Sequence, residues 1–118
     1  TYTGQRKLFY GTTINNIPLT LSSEIRSLSN SLLNPINGTT FTINVPSGAR
    51  NIIIAYPDTL RDLFKVMYVE LNMDVTDTFV KTSVNVEGLN GFTGVNYKTY
   101  QYIPLVPFGS SATYQVTI

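Results

Sequence analysis

The sequence predicts a mainly β domain, an antiparallel β-sandwich of the jelly-roll type with about six to eight strands. Short segments that alternate apolar and polar residues recur at fairly even intervals and are separated by Gly, Pro and Asn turn signals. Only one segment, residues 21–33, has the period of a helix. The chain of 118 residues fits a single domain, residues 1–118. It starts without methionine and its last alternating segment reaches Ile118, so we expect the C-terminal part of a longer chain.

The segment 51–57 is predicted to be the central strand of the domain. Ile52, Ile53 and Ile54 are consecutive β-branched residues, which resist helix formation and suit a pleated strand. Because this strand is apolar on both faces, it must be covered on both sides. Ser47-Gly48 provides a turn before it, and Pro57 ends it because proline has no N–H for a β-ladder.

The predicted helix, residues 21–33, is based on the spacing of its large apolar residues. They recur at intervals of four, three and four, as expected for one face of a helix: Leu21, Ile25, Leu28 and Leu32. Thr20 or Ser22 is a suitable N-cap, and Asn34-Pro35 ends the segment. We expect this helix to pack on one face of the sheet and to cover the central strand.

The remaining strands are predicted in order along the chain. A short first strand covers residues 7–10, and Asn37-Gly38 leads into an alternating strand at 40–45. Pro46-Ser47-Gly48 then predicts that strands 40–45 and 51–56 form a hairpin. Residues 60–64 are ambiguous and compatible with a helical turn. Further strands are predicted at residues 66–71, 80–86, 95–102 and 112–118.

Composition excludes several classes of function. Cysteine and histidine are both absent, which removes thiol nucleophiles, disulfides, the commonest general base and the commonest metal ligand. Charged residues make up 13% of the chain, about half the usual fraction, and the net charge is +1. Electrostatic attraction of nucleic acid is therefore not expected. No apolar stretch approaches the length of a membrane helix, so no membrane insertion is expected.

Three polar patterns have a chemical interpretation and a simpler structural one. Asp74 and Asp77 supply oxygen ligands of the kind calcium prefers, but such residues more often cap turns. Asp58 and Asp62 resemble the paired carboxylates of a glycosidase, but two acids four apart are more simply charges at a helix start. The glycine-rich loop 88–94 lacks the lysine and helix of a phosphate loop. We therefore predict no catalytic residue, no metal site and no cofactor.

Three tyrosines near one strand are the only predicted ligand or interface residues. Tyr97, Tyr100 and Tyr102 lie within residues 95–102, and aromatic rings on strands often stack on sugars while the hydroxyl finds polar partners. The simpler alternative is that these side chains pack in the core or at an interface, as half-buried tyrosines commonly do.

Several short segments, taken in order, resemble a known family. They are Lys7-Leu8-Phe9-Tyr10-Gly11, Ser23-Glu24-Ile25-Arg26-Ser27-Leu28, Phe41-Thr42-Ile43-Asn44, Ile53-Ile54-Ala55-Tyr56-Pro57, Asn96-Tyr97-Lys98-Thr99-Tyr100 and Tyr114-Gln115-Val116-Thr117-Ile118. This arrangement resembles the C-terminal β-rich domains of tailed-bacteriophage virion proteins of the tail, baseplate, fibre or head appendages. In those domains a Phe-Tyr-Gly opening, an Ile-Ala-Tyr/Ile-Pro strand and a Tyr-x-x-Tyr strand recur. The resemblance spans nearly the whole chain.

The resemblance implies a non-enzymatic structural domain of a virion, displayed in several copies on an extracellular particle. Its implied partners are other virion proteins and further copies of the chain, with a trimer favoured, and a host-surface glycan or receptor as an additional contact. The alternative of a different class is an extracellular carbohydrate-binding or adhesion module. A third alternative is that the chain is a carboxylate-dependent hydrolase.

Overall fold

The computed structural model describes residues 7–15, 25, 28, 30–33, 38–57, 65–86 and 95–118, which form two antiparallel sheets. The strands are β1 (Lys7–Thr13), β2 (Asn30–Leu33), β3 (Thr40–Val45), β4 (Asn51–Pro57), β5 (Lys65–Tyr68), β6 (Met73–Asp74), β7 (Val80–Val86), β8 (Val95–Tyr102) and β9 (Ala112–Thr117). The five-stranded sheet has the order β2-β1-β4-β8-β7, and the four-stranded sheet has the order β3-β9-β5-β6. The predicted mainly β sandwich is confirmed. Among the described residues there are nine strands, because short β2 and two-residue β6 add to those expected.

β4 is the centre of the five-stranded sheet, as its sequence predicts. It pairs with β1 on one side and β8 on the other, so that Ile54 lies opposite both Tyr10 and Tyr100. Successive side chains of a strand point to opposite faces. Ile52, Ile54 and Tyr56 therefore face the four-stranded sheet, while Ile53 and Ala55 face outward, and all five are buried.

The inner core fills the space between the two sheets. From the five-stranded sheet it receives Leu8, Ile52, Ile54, Tyr56 and Tyr100, and from the opposing sheet Phe41, Ile43, Val45, Val66, Tyr114 and Val116. On β3 the buried and exposed residues alternate strictly, as predicted for a strand with one face in the core.

An outer cluster covers the other face of β4. Ile53 and Ala55 pack there with Phe9 and Tyr97, and the cluster is completed by two residues of the segment before β2, buried Ile25 and half-buried Leu28. The prediction that residues 21–33 cover one face of β4 is thus confirmed for Ile25 and Leu28.

The predicted helix itself needs correction at its C-terminal end. Residues 30–33 form strand β2, which pairs with β1 from Lys7 opposite Leu33 to Tyr10 opposite Asn30. Leu32 consequently contacts the inner core and does not share a face with Ile25 and Leu28. Pairing with β1 overrides the helical spacing of these residues. The backbone N–H of Leu28 donates to the carbonyl of Ile25, and the remainder of 21–29 lies outside the described residues.

The predicted hairpin between β3 and β4 is wrong. β3 pairs with β9 in the four-stranded sheet, whereas β4 lies in the five-stranded sheet, so the connection 46–50 passes from one sheet to the other. The turn chemistry was identified correctly, since Gly48 has a positive φ of 88°. A Pro-Ser-Gly turn can form such a corner as well as a hairpin. β4, which is apolar on both faces, instead pairs with β1 on one side and β8 on the other.

Several connections meet at one end of the sandwich, which we call the loop end. In the five-stranded sheet the register places the end of β1 opposite the start of β4 and the start of β7 near the end of β8. In the four-stranded sheet the end of β3 lies opposite the start of β9, and the end of β5 lies near it. The segments at the loop end are 14–15, 46–50, 69–73 and 103–111. Lys7 and Ile118 lie toward the opposite end, where β1 starts and β9 finishes.

Candidate interaction surface

The large apolar side chains exposed to solvent gather at the loop end. Within the described residues they are Ile14, Val69, Leu71, Met73, Val80, Ile103, Leu105 and Val106. Each lies in a loop-end segment or, in the case of Val80, at the first position of β7. Scattered single apolar residues are normal on a surface, but their concentration at one end of a small domain makes that end the candidate interaction surface.

The most prominent part of this surface is the apolar loop, residues 103–108. Leu105 is fully exposed and Val106 is 70% exposed. Pro104 and Pro107 flank this pair and restrict the backbone, because each proline ring fixes its own φ and limits the residue before it. The loop therefore presents two apolar side chains with little backbone freedom to lose on binding.

Phe108 attaches the apolar loop to the sandwich. Its backbone carbonyl accepts a hydrogen bond from the N–H of Gly48 at 2.6 Å, and its N–H donates to the carbonyl of Ala49 at 3.0 Å. Its ring lies 6.3 Å from that of Tyr102 and 6.2 Å from that of Tyr114, in edge-to-face arrangements. Such contacts fix the base of the loop while its tip remains exposed.

The aromatic side chains beneath the loop form a neutral platform. Phe79 lies 5.9 Å from Tyr102 and 6.5 Å from Tyr114, measured between ring centroids, and Tyr68 stacks on Tyr114 at 5.2 Å. Burial raises the pKa of Tyr114 to about 12, with smaller contributions from neighbouring Tyr102, Tyr68 and Glu70. The Tyr114 hydroxyl is therefore uncharged at physiological pH, so the platform carries no phenolate there.

The polar loop around Asp74 has a structural role. A carboxylate oxygen of Asp74 accepts hydrogen bonds from the Thr76 hydroxyl at 2.7 Å and the Thr76 backbone N–H at 3.0 Å. These bonds, the side-chain bond first, lower the pKa of Asp74. Thr76 in turn accepts from the backbone N–H of Val66 at 2.9 Å, which ties the loop to β5. Asp74 thus caps a turn in this loop, the simpler of the two interpretations that its sequence allows.

The described residues contain no group of three or more acidic, His or Cys side chains placed to hold a metal ion. The other acidic pair, Asp58 and Asp62, and the glycine-rich loop 88–94 lie outside the described residues. No helix in the part of the chain that the structure describes has the length and hydrophobicity to span a membrane.

The structure does not bring the three predicted tyrosines together. Tyr97 is buried in the outer cluster, on the opposite face of β8 from Tyr100 and Tyr102. Tyr100 is buried and stacks on Tyr56 with ring centroids 5.9 Å apart. Tyr102 is half-buried beneath the apolar loop, between Phe79 and Phe108. Of the three, only Tyr102 belongs to the loop end, and there it supports the exposed residues.

Sequence reasoning did not identify Leu105 and Val106 as surface residues. The available signal was an apolar pair enclosed by two prolines, in a segment with no alternating pattern. Proline on both sides excludes an ordinary central strand, so the pair had no predicted place in the core.

Comparison of the chain with protein-family models, with curated proteins and with solved structures found no match.

Proposed function

We propose that this chain is a non-enzymatic assembly domain that associates with copies of itself through the loop end, as part of a multimeric particle. The observation that supports this proposal most directly is the concentration of exposed apolar side chains at that end, among which Leu105 of the proline-flanked pair Leu105-Val106 is the most exposed. A few side chains that become fully desolvated at the centre of an interface carry most of its binding energy, and Leu105 is the most exposed apolar side chain available for such burial among the described residues.

The charge of this surface is compatible with a second and third copy as its occupants. The segment 103–111 contains no charged residue, and the net charge of the chain is +1. Copies brought together at these loops therefore experience little electrostatic repulsion. The nearby charges are of both signs, Arg50 and Lys81 against Glu70, which also allows copies to approach.

A cyclic trimer is the proposed assembly. In a cyclic oligomer the same surface of every copy meets its neighbours around one axis. Three apolar loops converging on a threefold axis would bury Leu105 and Val106 of each copy together. The ends of the strands near Lys7 and Ile118 would then point away from the axis.

We further propose that the particle is a bacteriophage virion, with other virion proteins as additional partners. Support for this part comes from the resemblance of the short segments from Lys7-Leu8-Phe9-Tyr10-Gly11 to Tyr114-Gln115-Val116-Thr117-Ile118. A two-sheet antiparallel sandwich is compatible with such an appendage domain, but it also occurs in many unrelated extracellular proteins.

The oligomeric state of the purified chain tests the proposed assembly. Sedimentation velocity should show a trimer at micromolar concentration. Leu105→Asp should shift the equilibrium to monomer, because an anchor residue contributes about 2 kcal/mol or more, a factor of about 30 in affinity. The monomeric variant should remain folded, because Leu105 is fully exposed in the single chain, and its melting temperature should fall only by the stabilisation that assembly adds.

The matched control is Gln115→Asp. This residue is exposed on β9 and its substitution adds the same charge away from the apolar loop, so the trimer should persist. A wild-type chain that sediments as a monomer up to the highest soluble concentration would contradict the proposal. So would a trimer that is unaffected by Leu105→Asp and Val106→Asp together.

A further inference from the structure

A separate cleft lies at the side of the sandwich, between the two sheets. It has a volume of about 200 Å³ and is bordered by residues 10–12 of β1, by Asn30 at the start of β2 and by residues 42–44 of β3. β3 is an edge strand of the four-stranded sheet. β2 pairs with β1 only as far as Tyr10. The cleft therefore opens where β1 continues beyond β2 and faces the edge of β3.

The backbone contributes to the lining of this cleft. Neighbouring side chains of a strand point to opposite faces, so three consecutive residues can border one cleft only along the edge of the strand. Both β1 and β3 border it with three consecutive residues. An edge carries backbone N–H and C=O groups that point sideways, and these supply hydrogen-bond donors and acceptors.

The side chains at the cleft are uncharged, and most of them are polar. Asn30 and Asn44 provide amides, Thr12 and Thr42 provide hydroxyls, and none of the described lining residues is Asp, Glu, Lys or Arg. Half-buried Tyr10 borders the cleft, but its ring packs on that of Phe41, 4.7 Å away between centroids, so the surface of the cleft is mostly polar. Asn44 and Thr42 are exposed on β3 and so accessible from solvent.

We propose that this cleft binds one neutral sugar ring of a glycan. Each sugar hydroxyl both donates and accepts hydrogen bonds, which matches a lining of amides, hydroxyls and backbone groups. The absence of charge from the lining disfavours acidic sugars and phosphates. The volume is below the roughly 300 to 1,000 Å³ of drug-sized sites, and a compact cleft suits a single ring better than an extended peptide strand.

Chemical-shift titration of the ¹⁵N-labelled chain tests this site. The probes are glucose, galactose, mannose and N-acetylglucosamine at millimolar concentrations, with sialic acid as the charged comparison and a short β-forming peptide as the alternative occupant. At least one neutral sugar should give saturable shifts of the amides of residues 10–12 and 42–44. Asn44→Ala and Thr42→Val should each weaken that binding about three- to tenfold, the effect of one hydrogen bond.

Thr40→Val is the matched control, because Thr40 is exposed on the same face of the same strand but lies outside the cleft. It should leave the sugar affinity unchanged. Leu105→Asp should also bind the sugar with unchanged affinity. A variant that loses the trimer but keeps sugar binding would show that the sugar site and the proposed assembly can be tested independently.

Three results would overturn the sugar site. The first is the absence of saturable shifts with all four neutral sugars. The second is equal binding by wild type, Asn44→Ala and Thr42→Val, provided that their melting temperatures show them to be folded. The third is a response to sialic acid alone, or to the peptide alone with shifts along the whole of β3.

Discussion

Ile53 shows how a single position depends on both layers around β4. Its side chain faces outward from the five-stranded sheet, yet it has no solvent exposure, because Phe9, Tyr97 and Ile25 pack over it. Ile53→Asp would place a carboxylate in this apolar cluster with no cationic side chain among its members. Burying an unpaired charge costs several kcal/mol, against a total stability of about 5 to 15 kcal/mol for a domain of this size.

We therefore expect Ile53→Asp to be unfolded at room temperature, as judged by circular dichroism. Gln115→Asp, which adds the same residue at an exposed position of β9, should melt close to the wild type. If Ile53→Asp also melted within a few degrees of the wild type, the outer cluster would not be a compact layer.

Asp74 is expected to make stability depend on pH in the acidic range. Its pKa in the folded chain is lowered from 3.8, chiefly by the hydrogen bond from the Thr76 hydroxyl. In the unfolded chain the carboxylate therefore takes up its proton at a higher pH than in the folded chain. The stabilisation is complete above the unfolded pKa and is lost as the pH falls through the lowered folded value.

Urea denaturation of wild type and Asp74→Asn measures this contribution. At about pH 6 the wild type should have the higher midpoint, and the difference should shrink at successive pH values below the unfolded pKa of Asp74. A difference between the two proteins that does not vary with pH would mean that the charge of Asp74 contributes nothing.

At the level of elements, β3 provides the clearest test of topology. Its register pairs Thr42 with Gln115 of β9, and both side chains are exposed. Because the chain has no cysteine, Thr42→Cys with Gln115→Cys introduces one defined pair. Directly opposed residues have Cβ atoms about 4.5 to 5.5 Å apart, close enough for a disulfide after small adjustments.

The double variant should oxidise to an intramolecular disulfide, detected as faster migration on a non-reducing gel. Thr40→Cys with Gln115→Cys is the control, since Thr40 lies opposite Thr117 and is displaced by two residues from Gln115. Equal disulfide formation in both double variants would contradict this register.

The elements that the sequence predicts correctly are those whose pattern is local. β3, β4, β7, β8 and β9 follow from alternation or from a continuous apolar run, and the turn glycine Gly48 was also correctly identified. β2 was not predicted, because four residues that follow a helical spacing form a strand only when β1 lies beside them. Strand partners were likewise unpredictable, because the same turn chemistry serves a hairpin and a corner between sheets.

The two proposed surfaces depend on tertiary structure, which sequence patterns indicate only in part. Leu105 and Val106 would be assigned to a core by hydrophobicity alone, and their exposure follows from the attachment of Phe108 to Gly48 and Ala49. The cleft exists because β1 and the edge of β3 face each other across the two sheets. Tyr97 and Tyr100, for which the sequence allows a ligand role but packing is the simpler interpretation, are buried on opposite faces of β8.

At the scale of the whole molecule, the proposed surfaces occupy different parts of the sandwich. The apolar loop is at the loop end, the polar cleft lies along the side between β1 and β3, and Lys7 and Ile118 lie toward the opposite end. An assembly whose contacts are confined to the apolar loop would leave the cleft of each copy open. Several weak sugar sites on one particle could then act together and gain avidity.

The position of β9 has a consequence for the time course of folding. Within the described residues, β3 and β5 are joined only through β9, which lies between them, and Thr40 meets Thr117 across 77 positions of sequence. During synthesis, residues 40–68 leave the ribosome long before the strand that unites them. The four-stranded sheet must therefore form after translation of β9, and its sequence-distant pairings favour slow folding, on the order of milliseconds to seconds. Until then the edges of β3 and β5 that pair with β9 lack their hydrogen-bond partner, so the chain is most vulnerable to aggregation at this stage.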